Sequence, residues 1–313
     1  MSEKTKPLAA ATPVVVPKAP ALSMAALLAS MDARDDEDIT EIAELAPLSV
    51  ANVLPRAPRA LPIADLTGLA KLWELIGEGN SGKTMLARYL VDRLIEHGKL
   101  DVTAIAALAP GNRNLTQFVG TVMQPPSTDP RATADFARKA MAAMAKGRRS
   151  GVFDFGGGDA SKRHLIEAMP NLTNTMEEMG LALIAAYVLT PRSADLTFLK
   201  TYERMGFQPR ATTLILNLAT AETPSAFDGL RRQPEYKAAL ARGAVELWMP
   251  AMPQDVALRI ERAQVHFTQA RDGEAPEGRK PASISLLERV MVREWLDAMD
   301  EEFQVIEGWM PWA

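Results

Sequence analysis

The stretch LWELIGEGNSGKT, residues 72–84, decides the fold. LWELI (72–76) reads as a strand, and KTMLARYLVDRLIEH (83–97) repeats its apolar residues near every 3.6 positions and reads as a helix. Between them GEGNSGKT (77–84) matches GxxxxGK[ST] at Gly77, Gly82, Lys83 and Thr84. Strand, glycine-rich turn and helix, in that order, are the context in which the spacing carries chemistry. Glycines let the backbone wrap closely, so that successive N–H groups and the helix N-terminus face phosphate. The pattern marks Gly77, Gly79, Asn80, Ser81, Gly82, Lys83 and Thr84, with Met85 next to them, as a nucleotide-binding site. Lys83 would bridge the β- and γ-phosphates, and Thr84 would set its hydroxyl on Mg2+.

Outward from this segment, short apolar runs alternate with longer amphipathic ones. Strands are expected at 102–108, 151–155, 181–189, 212–218 and 244–249. Helices are expected at 133–147, 162–180 with a break at Pro170, 194–206, about 224–242, 254–270 and 285–303, the last opened by Ser285 and Glu288 at capping-box spacing. Such alternation predicts an α/β fold, a doubly wound and mainly parallel sheet covered on both faces. GVFDFGGGD (151–159) offers a second chemical element: Asp154 closes a buried strand where a carboxylate can hold the magnesium shell, and glycines follow it.

Composition narrows the alternatives. The 313 residues carry a net charge of −4, so any nucleic-acid contact must be a local patch. With no cysteine, disulfide frameworks, zinc ribbons, iron–sulfur ligation and thiol catalysis are excluded. His97, His164 and His266 lack metal-ligand spacing. No apolar run reaches the roughly 20 residues that span a bilayer, and prolines break the first 22 residues, so neither a membrane span nor a signal peptide is expected and the location is taken as cytoplasmic. Residues 1–65 read as a Pro/Ala-rich, partly acidic leader, largely disordered. Within it, residues 23–46 read as a solvated segment or, alternatively, as a short helix with Met24, Leu27, Leu28 and Met31 on one face that docks a partner; residues 66–313 form the main domain. The last helix places Leu287, Val290, Met291, Leu296 and Phe303 on an apolar face. Its acidic polar face argues against a lipid surface, and Trp309 and Trp312 would clamp it to the core or, if exposed, form a partner patch.

The order of the 77–84 loop, APGNRNLTQFVG (109–120), VFDFGGGD, YVLTPRSADL (187–196), LILNL (214–218) and MPAMPQDVAL (249–258) resembles the ParA/MinD group of P-loop ATPases over roughly residues 70–270. The resemblance implies a P-loop NTPase fold, ATP with Mg2+, and a nucleotide-dependent homodimer. It implies Asn217 at the base and Pro250 and Pro253 lining the adenine pocket. Lys83, Asp154 and Asp159 would carry catalysis, with Thr84 and Asp154 on the metal. Three departures bear on turnover. Glu78 stands where the group has a second lysine, and Ala107 and Ala109 stand where it has aspartates. A carboxylate 4 Å from phosphate is repelled by about 4 kcal/mol at an effective dielectric near 20, so Glu78 is expected to turn away or pair with a cation. Arg113, Lys162 and Arg163 are candidates for the missing charge, and Asp159 for the missing acid. These variant features resemble a StbB/MobD-like branch, which implies plasmid partition, stability or conjugative mobilisation with weak or partner-stimulated ATP hydrolysis. A catalytically silent adaptor that recruits its partner through the leader is the alternative. Non-specific DNA or a DNA-processing protein is the implied partner, with Lys146, Arg148 and Arg149, then Arg231, Arg232 and Lys237, then Arg259 and Arg262 as candidate phosphate contacts.

Overall fold

The computed structural model describes residues 63–108, 113–119, 122–156, 160–274 and 284–313. The expected leader up to residue 62, Ala109 and Asp159 lie outside the described residues, as does the side chain of Arg113.

Among the described residues six strands form one sheet: β1 (Ala70–Ile76), β2 (Ala104–Ala107), β3 (Gly151–Asp154), β4 (Leu181–Leu189), β5 (Ala211–Asn217) and β6 (Val245–Met249). Their order is β2-β3-β1-β4-β5-β6 and every neighbouring pair is parallel. Parallel strands are covered on both faces, which is why β4 can be nine buried residues, LALIAAYVL, without polar alternation. Successive side chains still alternate between the two layers. From β1, Trp73 and Leu75 join one core, with α1 (Lys83–Glu96), α2 (Arg113–Phe118), α9 (Gln254–Ala263), α10 (Phe267–Asp272) and α11 (Leu286–Phe303). Leu72 and Ile76 join the other, with α3 (Pro130–Gly147), α4 (Ala160–Ala168), α5 (Leu172–Glu178), α6 (Leu196–Arg204) and α8 (Pro234–Ala241). The result is an α/β fold whose single parallel sheet is flanked by helices on both sides, as the doubly wound expectation requires.

Several boundaries differ from the sequence reading for identifiable reasons. The helix expected at 224–242 is a 3-10 turn (Pro224–Phe227), a single turn α7 (Asp228–Arg231) and α8, because Pro234 starts a new helix. The helix expected at 254–270 divides at Gln264, whose φ of 52° is left-handed. The buried Asp92 of α1 then caps α10, accepting from the backbone N–H of Phe267 and Thr268. The capping box of Ser285 and Glu288 forms as read.

The apolar face of α11 is corrected. Leu287 is 65% exposed and Val290 is also exposed, whereas Val292, Trp295, Leu296, Met299 and Phe303 are buried. Glu302 turns from the expected solvated face to accept the N–H of Trp248, so α11 covers the outer edge of β6. Trp309 clamps the C-terminal segment: its indole donates to Ala64 O and its own carbonyl accepts from Trp73 Nε1, both at 2.7 Å. Trp312 stacks on His97 with ring centroids 5.0 Å apart. No helix among the described residues is long and apolar enough to cross a membrane.

The connections position the site. From β1 the chain runs to the edge strand β2, returns through β3 to β1's flank, then crosses to β4 on its other side. In open parallel sheets, ligands bind outside the carboxyl ends of the strands where the order reverses in this way. The 77–84 loop leaves β1 at that edge.

Candidate functional site

The loop is a close-fitted turn between β1 and α1. A Cβ on Gly77 would lie 2.5 Å from Val188 O and 2.8 Å from Ser81 Oγ, so the end of β4 admits only glycine there. Gly82 has φ 102°, and a Cβ on it would strike Asn217 Nδ2 and stand 2.7 Å from Met249 Cε. Asn80 takes a left-handed φ of 62°, which asparagine tolerates. Gly79 faces open space.

Lys83, only 7% exposed, folds back over the loop and donates to Gly77 O at 2.9 Å and Glu78 O at 2.7 Å. Its ammonium is thereby held within the concavity at the N-terminus of α1. From the far side Asn217, the last residue of β5, donates to Ser81 O at 2.7 Å while its Oδ1 accepts the N–H of Ala219 at 3.0 Å. The asparagine expected at a base thus braces the loop. Ser81 is fully buried, and its hydroxyl makes no hydrogen bond. Met85 is partly buried against the core. Pro250, just after β6, is buried, and its carbonyl accepts from Trp295 Nε1 at 2.9 Å; Pro253 is exposed at the start of α9.

Next to the loop, Thr84 Oγ1 donates to Asp154 Oδ2 at 3.3 Å. Asp154 ends β3 and is paired in register with Leu75 of β1 and Ala107 of β2, which brings the carboxylate to the first turn of α1. A hydroxyl beside a carboxylate is an oxygen donor pair suited to a hard divalent cation. Among the described residues no group of three or more His, Cys, Asp or Glu could hold a metal by itself. Two protein oxygens fit magnesium, which keeps several waters and is completed by substrate phosphates. The cradle that a Cβ would fill, the helix N-terminus and Lys83 together suit a polyphosphate.

Other expectations are redistributed. Lys162 is no phosphate ligand: it is fully buried, with Nζ 2.6 Å from Glu74 Oε1, and lies over the rings of Phe207 (3.9 Å) and Phe155 (5.2 Å). Glu74 comes from β1, three residues before the loop, and its other oxygen is buried without a hydrogen bond. Desolvation raises the Glu74 pKa, with Lys162 opposing the shift. Arg163, its neighbour on α4, is exposed. Glu78 is partly exposed and its carboxylate joins no ion pair among the described residues. Ala107 is buried at the carboxyl end of β2, where its methyl group cannot orient water. One arginine of each basic cluster is engaged locally: Arg149 with the carbonyls of Val102 and Asp101, Arg231 with Glu246 at 3.0 Å, and Arg259 with Glu288 at 2.9 Å.

Two features escaped the sequence reading. One is the Glu74–Lys162 pair. The other is the polar wiring inside the 187–196 segment after β4, where Asp195 accepts the N–H of Thr190 at 2.7 Å and Arg192 lies alongside. The signals were a carboxylate inside an apolar strand and a Thr-x-Arg-x-x-Asp spacing. Neither names its partner.

Comparison with models of known protein families finds none that matches the chain, and comparison with curated proteins finds no match.

Proposed function

We propose that this chain binds magnesium–ATP on the 77–84 loop and acts as a dimerising switch of the ParA/MinD type. Its hydrolysis would be weak or partner-stimulated, and its setting plasmid partition, stability or conjugative mobilisation, with DNA or a DNA-processing protein as partner. The observation that carries the nucleotide reading is Lys83 held over the glycine loop, with Thr84 and Asp154 side by side at its edge.

Each residue then has a physical task. The loop N–H groups donate to phosphate oxygens at the positive end of α1. Lys83 exchanges two neutral carbonyls for anionic oxygens, which are the stronger acceptors. Thr84 and Asp154 hold the magnesium ion, which when bound neutralises phosphate charge. Asn217 and Val188 keep the loop from relaxing.

Ala107 supports a second reading, a binding-only adaptor, because the carboxyl end of β2 supplies no acid to orient a water. Steady-state ATP hydrolysis with and without duplex DNA, alongside MgATP binding, separates the two against Lys83→Ala. Losing a charge-assisted contact of about 1.5–3 kcal/mol should weaken MgATP binding roughly 10–100-fold. DNA-stimulated turnover that vanishes in Lys83→Ala supports the switch; MgATP binding without turnover leaves the adaptor. Equal binding by both proteins refutes the site.

A further inference from the structure

We infer that Arg192, on the turn that follows β4, is a second phosphate-binding cation of this site and closes on the terminal phosphate of a bound nucleoside triphosphate. The inference rests on the nucleotide reading above and adds a residue to it. β4 lies directly beside β1, with Tyr187 opposite Ile76, and Val188 O abuts Gly77 of the loop. The 190–195 turn therefore rises from the sheet edge along the flank of the phosphate loop.

The turn is built to present this side chain. Asp195 is fully buried, and its Oδ2 closes the turn onto the N–H of Thr190 at 2.7 Å. Its Oδ1 makes no hydrogen bond and faces Arg192 Nε at 3.7 Å. Arg192 Nε also donates to Thr190 Oγ1 at 3.2 Å. The near end of the guanidinium is thus tethered by a buried carboxylate and a hydroxyl. The side chain is 64% exposed, and both of these contacts are made through Nε. A planar fork held at one edge and open at the other is the geometry that receives two phosphate oxygens.

Charge balance points the same way. A triphosphate carries more negative charge than one magnesium ion and Lys83 neutralise, and Glu78 adds another carboxylate to the loop. Lys162 is committed to Glu74. Arg163 is exposed on α4 with no described contact fixing its direction, so it serves as the charge control.

The test is equilibrium binding of fluorescent ATP and ADP analogues, with Mg2+, to the full chain and to Arg192→Ala, Arg192→Lys, Arg163→Ala and Lys83→Ala. Arg192→Ala should weaken the triphosphate about tenfold and leave the diphosphate unchanged. Arg192→Lys should recover part of the loss, and Arg163→Ala should match the parent. Unchanged triphosphate affinity in Arg192→Ala overturns the inference. So does an equal loss for ATP and ADP, which would make Arg192 a prop for the turn. If the parent and Lys83→Ala bind neither analogue, the nucleotide reading falls and takes this inference with it.

Discussion

Replacing Lys162 by methionine isolates the buried pair beneath the loop. Lys162 Nζ and Glu74 Oε1 are 2.6 Å apart and neither side chain reaches solvent. Removing one partner of such a pair leaves an uncompensated buried charge and costs about 3–5 kcal/mol. Burial already raises the Glu74 pKa with Lys162 present, so without it the carboxyl is held protonated to still higher pH. The sign follows from linkage. The folded protein binds a proton that the unfolded chain has released, so stability falls as pH rises from the unfolded carboxyl value through the folded one. Its slope is at most about 1.4 kcal/mol per pH unit for one group. Urea unfolding at pH 5, 6, 7 and 8 should therefore show a Lys162→Met deficit that is smallest at pH 5 and grows upward. Adding Glu74→Met should return stability to within about 1 kcal/mol of the parent or above it, because apolar replacement of a whole buried pair is often neutral or stabilising. A single-variant deficit under about 1 kcal/mol, a deficit flat with pH, or a double variant no better than the single would refute the reasoning.

The sheet and the loop were legible because both are written locally. β4 and β5 are apolar runs whose burial on two faces follows from their composition, and two glycines of the loop, Gly77 and Gly82, are fixed by contacts that leave no room for a Cβ. The strand order was not legible. Nothing inside AIAA or GVFD says that β2 takes the edge and β3 the place beside β1. Long-range polar pairing was equally hidden. Glu74 and Lys162 are separated by 88 positions, and each reads alone as an oddity in an apolar or solvated segment. For the same reason Lys162 looked available to phosphate when it is committed to the core. Helix faces failed where tertiary contacts override periodicity. α11 buries Trp295 and Met299 against the core and leaves Leu287 in solvent, although both choices fit a 3.6-residue period.

Two further predictions test the loop and its metal edge. Thr84→Ala and Asp154→Asn should each reduce the magnesium-dependent part of nucleotide affinity about tenfold, while affinity measured in EDTA stays at the parent value; calorimetric titrations with and without Mg2+ read the difference. The glycines should separate by position. Ala at Gly82 must adopt a left-handed backbone, costing about 1–2 kcal/mol. It also displaces Asn217 from Ser81 O, a hydrogen bond worth about 1 kcal/mol. Gly82→Ala should therefore lose about 2–3 kcal/mol in urea unfolding. Gly79→Ala, whose new methyl meets nothing within 4 Å, should stay within about 0.5 kcal/mol of the parent. Equal losses at the two positions would mean that the contacts of Asn217 and Met249 at Gly82 do not set the loop's shape, and the geometric case for a phosphate cradle would go with them.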